Sequence, residues 1–241
     1  MEEGNNLQEK LRDMEEWNEE RARIKPVLDR AVEFHNKARH EVYWKNYEKA
    51  SEFYREAIKN YKATLNLTPK YYLNDILERV DSVIEEHINT TFNLKISADR
   101  LTTEYGISDL VSFIEGLNPE EKSYIDSYSI AVSYLKIADI YYEEDNFNKA
   151  YEFYKRVLDV QCDRSFVNTD AHHKMGKILF YKKRYKEALV SFVSVLSFDK
   201  NFSEAIDYID KCLKELGIYK YKARFLSATP NEAKKLIMEV L

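Results

Sequence analysis

The feature that most constrains this chain is a short pattern that recurs three times. Each copy has a polar turn, an aromatic residue, two polar residues and an alanine, and the copies lie at 45–50, 145–150 and 183–188. Every copy has a small residue twelve positions before its alanine and an aromatic residue four positions after it. These flanking residues are Ala38 and Tyr54, Ala138 and Tyr154, and Gly176 and Phe192. The chain therefore repeats one structural unit.

The spacing within each copy suits two packed helices joined by a turn. A small residue near the middle of each helix lets the two axes approach closely, and an aromatic ring one turn further on fills the space beside the contact. One such pair leaves an apolar face uncovered, so pairs stack on one another. Five Gly and four Pro in 241 residues are few for a sheet protein with many turns, which also favours an all-helical chain.

Apolar residues recur at three- and four-residue steps along the chain, as they do in the stripe within 71–90. No segment of useful length alternates between apolar and polar residues as a half-buried strand would. The predicted helices are 7–24, 27–44, 47–66, 71–90, 94–104, 108–117, 119–143, 147–161, 166–182, 185–198, 202–216 and 230–241.

Prolines and one glycine supply the predicted helix boundaries. Pro26 is interpreted as a break between an N-terminal charged helix and the helix that follows it. Pro69, Pro119 and Pro230 each follow a Thr or Asn, which predicts a capping residue with Pro in the first helical position. Gly217 is interpreted as the end of a helix.

The three copies resemble the tetratricopeptide repeat, a helix–turn–helix unit of about 34 residues. The resemblance is strong in 131–164 and 169–202 and weaker in 31–64, where Lys37 and Glu41 replace apolar residues. The residues that carry it are Tyr134, Ile137, Ala138, Tyr141, Ala150, Tyr154 and Val157; His172, Met175, Gly176, Leu179, Ala188, Phe192 and Val195; and Phe34, Ala38, Ala50, Tyr54 and Ala57.

The resemblance implies an all-α fold, a right-handed superhelix of antiparallel helix pairs. The predicted domains are a charged helix at 1–25, a repeat domain at 26–228 and an amphipathic helix at 229–241. Within the repeat domain, we expect 71–117 to form a degenerate hairpin that continues the stack, with an independent insert as the alternative. The helix at 202–216 is predicted to cap the last repeat.

In proteins that this sequence resembles, the first helix of each repeat lines a concave groove for a partner segment. The corresponding residues here are His35, Arg39 and Tyr43; Leu135, Asp139 and Tyr142; and His173, Lys177 and Tyr181. The resemblance thus implies a protein–protein interaction scaffold that binds a peptide or helical segment. Inter-repeat packing is the alternative role for the tyrosines.

No pattern of catalytic, cofactor-binding or metal-binding residues stands out. Asp170, His172 and His173 cluster, but adjacent histidines on a helix diverge by about 100° and do not share a metal as i, i+4 residues do. His172 also occupies a packing position of the repeat. Cys162 and Cys212 are interpreted as small packing residues. We therefore predict a protein that is not an enzyme and has no cofactor and no metal.

The main alternative function is RNA association, because 211–241 carries seven basic and three acidic residues. The net charge of −5 and the small basic cluster at 182–186 disfavour nucleic acid as a partner. No apolar run is long enough to span a bilayer, and the N-terminus lacks a signal-peptide pattern. We expect a cytoplasmic protein without a membrane partner.

Both ends of the chain leave alternatives open. The N-terminal helix has Leu7, Leu11 and Met14 at heptad-like steps, and we expect it to cover the first repeat rather than form a solvated arm or a coiled-coil contact. The C-terminal helix is expected to dock on its own solenoid because a helix of about 12 residues is marginal in water. Docking on a neighbouring subunit would make a homo-oligomer through either terminal helix.

Overall fold

The computed structural model describes residues 2–68, 73–160, 162 and 164–241, and the side chains of these except for 2–17, 98 and 99. Throughout this part of the chain the regular structure is helical and contains no strand. The helices are α1 Glu2–Tyr43, α2 Tyr47–Leu65, α3 Leu73–Lys95, α4 Ala98–Leu101, α5 Glu104–Gly116, α6 Pro119–Ser123, α7 Ser127–Glu143, α8 Phe147–Asp159, α9 Ser165–Tyr181, α10 Tyr185–Phe198, α11 Ser203–Glu215, α12 Lys222–Ser227 and α13 Pro230–Val240, with a 3-10 turn at Tyr219–Tyr221.

The helices form two compact units, Met1–Ile125 and Asp126–Leu241, called unit 1 and unit 2 below. In unit 1, α1 packs against α2, α2 against α3, and α3 against α5. The segment predicted as a degenerate hairpin therefore packs directly on the first helix pair. Its boundaries differ from those predicted, since α3 continues to Lys95, a short α4 follows, and α5 begins at Glu104.

Unit 2 contains two helix pairs, α7 with α8 and α9 with α10, followed by α11 to α13. The first helices lie side by side, with α7 against α9 and α9 against α11, and the C-terminal α13 packs on α10. Leu236 and Ile237 of α13 are buried in the same apolar cluster as Leu189 and Phe192 of α10. The C-terminal helix thus docks on its own unit. The predicted all-α fold of tetratricopeptide-like helix pairs is confirmed.

The small residues of the repeat lie where the paired helices touch. Ala38, Ala50, Ala138, Ala150 and Ala188 are fully buried. A Cβ atom built on Gly176 would lie 2.8 Å from Cε1 and Cζ of Phe192, closer than a relaxed carbon contact. The close approach predicted for these positions is confirmed.

Each of the three inter-helix turns has a non-glycine residue in the left-handed region. These residues are Lys45, Asp145 and Lys183, with φ of 60°, 57° and 58°. The amide of the following residue donates to a carbonyl oxygen five positions back, as in Arg184 N to Leu179 O at 2.9 Å. This hydrogen bond closes the end of the first helix in the manner of a Schellman motif. Gly217 has φ of 70° and ends α11 in the same way, which confirms its predicted role.

The predicted break at Pro26 is wrong, because α1 runs through it without interruption. Proline removes one backbone donor, but its fixed φ of about −65° is itself helical, so a helix can continue with one hydrogen bond lost. The side chains of Leu7, Leu11 and Met14 are not among those that the structure describes. The predicted cover over the first repeat therefore stays a prediction.

Two of the three Pro-marked helix starts are confirmed. Asn118 and Thr229 each form a capping box with the Glu three residues later. The start at Pro69 lies outside the described residues.

Two predicted boundaries near these starts are wrong. The single helix predicted at 119–143 is interrupted at 124–126, where Asp126 takes an extended conformation and starts α7. The segment 217–229, predicted without a helix, contains the 3-10 turn and α12, whose Phe225 is fully buried.

Candidate functional site

Two of the three groove residues predicted in unit 1, His35 and Arg39, contact a carboxylate of α3. Glu86 of α3 accepts hydrogen bonds from His35 Nε2 at 3.0 Å, Arg39 Nε at 2.9 Å and the Tyr54 hydroxyl at 2.9 Å. Burial alone would raise the pKa of Glu86, but the hydrogen bonds from Arg39, His35 and Tyr54 outweigh it and hold this pKa well below its usual range. The cluster ties α1 and α2 to α3 through one charged group.

An open cleft of about 410 Å³ lies on this face of unit 1, between α1 and α3. Its lining residues are Val32, His35, Asn36, Arg39, Tyr61, Asp75, Glu78, Arg79 and Ser82. His35 is only 7% exposed and forms part of the floor. Tyr43, the third predicted residue, does not line the cleft; it is exposed and packs edge-on against Trp44.

In unit 2, Asp139 of α7 accepts hydrogen bonds from two neighbouring helices. The Tyr154 hydroxyl of α8 donates at 2.6 Å and Lys174 Nζ of α9 donates at 2.8 Å. Burial and the hydrogen bond to Asp139 raise the pKa of Tyr154. Leu135, one turn before Asp139, is half-buried.

His173 lies beneath the surface of α9, where it is 6% exposed and packs against the ring of Phe202 at 4.9 Å. Burial lowers the pKa of His173. Its Nε2 is 3.4 Å from Glu204 Oε2 of α11, while Lys177 Nζ donates to Glu204 Oε1 at 3.1 Å. His172 is half-buried and stacks on Phe198, consistent with its packing position.

Beside His173 lies an aromatic and cationic cluster, in which Tyr208 is buried. Tyr181 is 60% exposed, and its hydroxyl is 3.2 Å from the hydroxyl of Tyr208. Lys177 Nζ and Lys211 Nζ lie 6.0 and 4.5 Å from the centre of the Tyr208 ring. Tyr142 is half-buried on α7. Burial raises the pKa of Tyr208, and Tyr181, Glu204 and Tyr142 add smaller contributions. The structure thus brings three predicted residues together here, and we call Tyr142, Lys177, Tyr181, Tyr208 and Lys211 the tyrosine–lysine cluster.

Four residues of these faces were not predicted: Glu86, Glu204, Tyr208 and Lys211. One signal was present, since Lys211 follows Lys177 by 34 residues, the length of one repeat. Continuing the groove positions into α11 would have found it. Glu86 belongs to a helix without the repeat pattern, so no spacing pointed to it.

No group of three or more His, Cys, Asp and Glu side chains with metal-binding geometry occurs in the described part of the chain. Over the same residues, no helix combines the length and apolarity that crossing a membrane requires.

These helix pairs with small-residue contacts define a helical-repeat protein. A family model for the tetratricopeptide repeat matches residues 131–161, which correspond to α7, its turn and α8. This part of the chain is similar to a tetratricopeptide repeat. Such repeats build extended surfaces for other proteins, which supports a protein-interaction scaffold as the kind of function.

Beyond this repeat, the chain has little similarity to known proteins. No curated protein sequence matches the chain. Two crystal structures of MamA are 12% and 14% identical to it, cover 88% and 81% of this chain and each share 96% of their own length with it. Both superpose with a TM-score of 0.36, which is too low to support any conclusion about this protein.

Proposed function

We propose that this protein is a non-enzymatic scaffold that binds a peptide or helical segment of a partner protein on the face formed by its first helices. The observation that carries the proposal is the tyrosine–lysine cluster. Side chains of α7, α9 and α11, which are neighbouring first helices in unit 2, converge there at the surface.

The chemistry of the cluster suits a peptide segment. Tyrosine rings supply contact area at low cost in side-chain entropy, and lysine ammonium groups set the register of a polar partner. Tyr142, Lys177 and Tyr181 are the proposed contact residues, with half-buried Leu135 beside them. Asp139, which is paired with Tyr154 and Lys174, positions its neighbours.

The cleft of unit 1 offers a second surface of the same kind. Its volume is within the range of small ligand sites, about 300–1,000 Å³, so it accommodates one or two side chains of a bound segment. Arg39 is the proposed contact residue, and His35 forms part of the floor of the cleft. Exposed Tyr43 would extend the contact along α1.

Peptide display on the full-length protein tests this proposal. Selected peptides should bind the wild type and lose about tenfold or more in affinity with the Tyr142→Ala/Lys177→Glu variant. Lys186→Glu, which makes the same charge change at an exposed site on α10, serves as the matched control and should bind normally. Tyr181→Ala should also weaken binding.

Circular dichroism should show that every variant keeps its helicity. A pull-down from native lysate with the same variants extends the test to natural partners. Equal affinity of the selected peptides for wild type and the double variant would place the binding surface elsewhere and refute the proposal.

The RNA-binding alternative has less support, because two of the seven basic groups of 211–241 are paired with carboxylates. Lys222 pairs with Asp210 at 2.7 Å and Arg224 with Glu239 at 3.3 Å. An RNA oligonucleotide that bound tightly and dissociated steeply with added salt would favour this alternative. The cytoplasmic location expected from the sequence stays a prediction.

A further inference from the structure

Units 1 and 2 contain the same small arrangement at the same position of the repeat. His35 and His173 each lie three residues before the small residue of their first helix, and each is followed four residues later by a basic residue, Arg39 or Lys177. In both units a carboxylate from another helix packed in the same unit faces this pair. The two copies can therefore be compared atom by atom.

The copy in unit 1 is complete. Glu86 accepts hydrogen bonds from His35, Arg39 and Tyr54, and Ser82 Oγ lies 3.4 Å from it. The Glu86 side chain is 27% exposed. A carboxylate with this many donors is held firmly in place.

The copy in unit 2 is incomplete. Glu204 accepts one hydrogen bond, from Lys177, and its side chain is 48% exposed. His173 Nε2 lies 3.4 Å from Glu204 Oε2 without the alignment of a hydrogen bond, and this buried nitrogen has no partner among the described residues. A buried polar atom without a partner is costly, so the site has capacity for a better-placed oxygen.

The surroundings of Glu204 are richer in positive charge than one carboxylate requires. Lys211 lies over the Tyr208 ring at 4.5 Å, and no carboxylate of the described residues is within ion-pair distance of it. Burial alone would raise the pKa of Glu204, but Lys177, His173 and Lys211 outweigh it and lower this pKa. Asp207, one turn before Lys211 on α11, is exposed.

We propose that Lys177, Lys211 and His173 recognise an acidic side chain of the partner segment, and that Glu204 occupies this position in the free protein as an intramolecular competitor. The inference rests on the proposed function and specifies the partner's chemistry at the tyrosine–lysine cluster. On binding, the partner carboxylate takes the hydrogen bond from Lys177 and the unpaired Nε2 of His173. Glu204, already half-exposed, turns to solvent.

Two variants distinguish this proposal from a nonspecific effect of net charge. Each of them removes one carboxylate from α11. The probe is a fluorescein-labelled, C-terminally amidated peptide of about eight residues alternating Ala and Glu, measured by fluorescence anisotropy with the full-length protein. Glu204→Gln should tighten binding by about fivefold, because it releases Lys177 without removing it. The matched control Asp207→Asn should change affinity by less than about twofold. Lys177→Gln should weaken binding by about tenfold.

A peptide with Gln in place of Glu should bind at least about fivefold more weakly to the wild type. In NMR spectra, the Glu peptide should shift the ring resonances of His173 but not those of His87, which lies in unit 1. Equal gains in affinity for the Glu peptide in Glu204→Gln and Asp207→Asn would overturn the inference. It would also be overturned if the wild type bound the Gln peptide as tightly as the Glu peptide, or did not bind the Glu peptide.

Failure of this inference is distinguishable from failure of the proposed function. If display-selected peptides bind the wild type and are lost with Tyr142→Ala/Lys177→Glu while Glu204→Gln has no effect, the scaffold function stands and the carboxylate site does not. If selected peptides bind the wild type and the double variant with equal affinity, the proposed function itself fails.

Discussion

Replacing Gly176 by alanine tests the close contact between α9 and α10 on which the repeat depends. In a helix interior, alanine is more stable than glycine by about 1 kcal/mol. Here the new Cβ would lie 2.8 Å from two ring atoms of Phe192, whereas relaxed carbon contacts are about 3.5–4.0 Å. The Phe192 ring is fully buried. Overpacking of this kind costs about 1–3 kcal/mol.

The two effects oppose each other, and we expect overpacking to win by about 1 kcal/mol. In a Phe192→Leu background the obstructing ring is absent, so the same Gly176→Ala change should stabilise the protein by about 1 kcal/mol. The double-mutant cycle should therefore give a coupling free energy of about 2 kcal/mol. Urea unfolding followed by circular dichroism measures all four proteins, and hydrogen exchange of α9 and α10 amides assigns the effect to unit 2.

The matched control is Gly116→Ala at the end of α5, where an added Cβ would meet no atom within 4 Å. This variant should be as stable as wild type or slightly more so. The reasoning is refuted if Gly176→Ala stabilises the protein, or if its effect is the same with Phe and with Leu at position 192.

Four further predictions concern stability. An added Cβ on Gly106 would lie 1.8 Å from a backbone carbonyl oxygen of the preceding turn, so Gly106→Ala should cost about 3 kcal/mol or more in urea unfolding. In Gly217→Ala the new Cβ meets no steric obstacle, but the alanine must keep φ of 70°, which should lower the free energy of unfolding by about 1 kcal/mol. Thr229→Ala loses a capping box and should also lower the free energy of unfolding by about 1 kcal/mol. Thr229→Ala should in addition speed hydrogen exchange in α13. Burial lowers the pKa values of His87 and His172 from 6.5 to about 4, so between these values the unfolded chain binds more protons than the folded one. Stability should be full above pH 6.5 and decrease as the pH falls towards 4, and replacing both histidines by Phe should flatten this dependence.

Local signals predicted much of the fold. The helix pairs follow from small and aromatic residues at repeat spacing, and the starts of α6 and α13 follow from capping residues next to Pro. In each case the residues that cause the structure are within a few turns of one another. Sequence spacing is then a good guide to spatial distance.

Signals of similar strength were misleading at other points. Pro26 has the same local character as a helix break, yet α1 continues through it. Lys45, Asp145 and Lys183 adopt a left-handed conformation that favours glycine, because the turn must reverse the chain between two packed helices. The helix α12 has one fully buried residue, Phe225, and hence no stripe for a pattern to detect.

The candidate site shows the same division. Repeat position alone placed Tyr142, Lys177 and Tyr181 on one face, and the structure brings these three together with Tyr208. Repeat position did not indicate that His35 and His173 would be buried. Their depth depends on which helix packs above them.

By itself, the sequence determined that this chain forms helices, that they pair through Ala and Gly contacts, and which side chains lie on the first helices. Only the tertiary structure decided which charges meet. His35 and Glu86 are 51 positions apart, and no local propensity governs how far α3 slides along α1. That register comes from the packing of the whole interface, and it leaves Glu86 fully bonded while Glu204 retains a single donor.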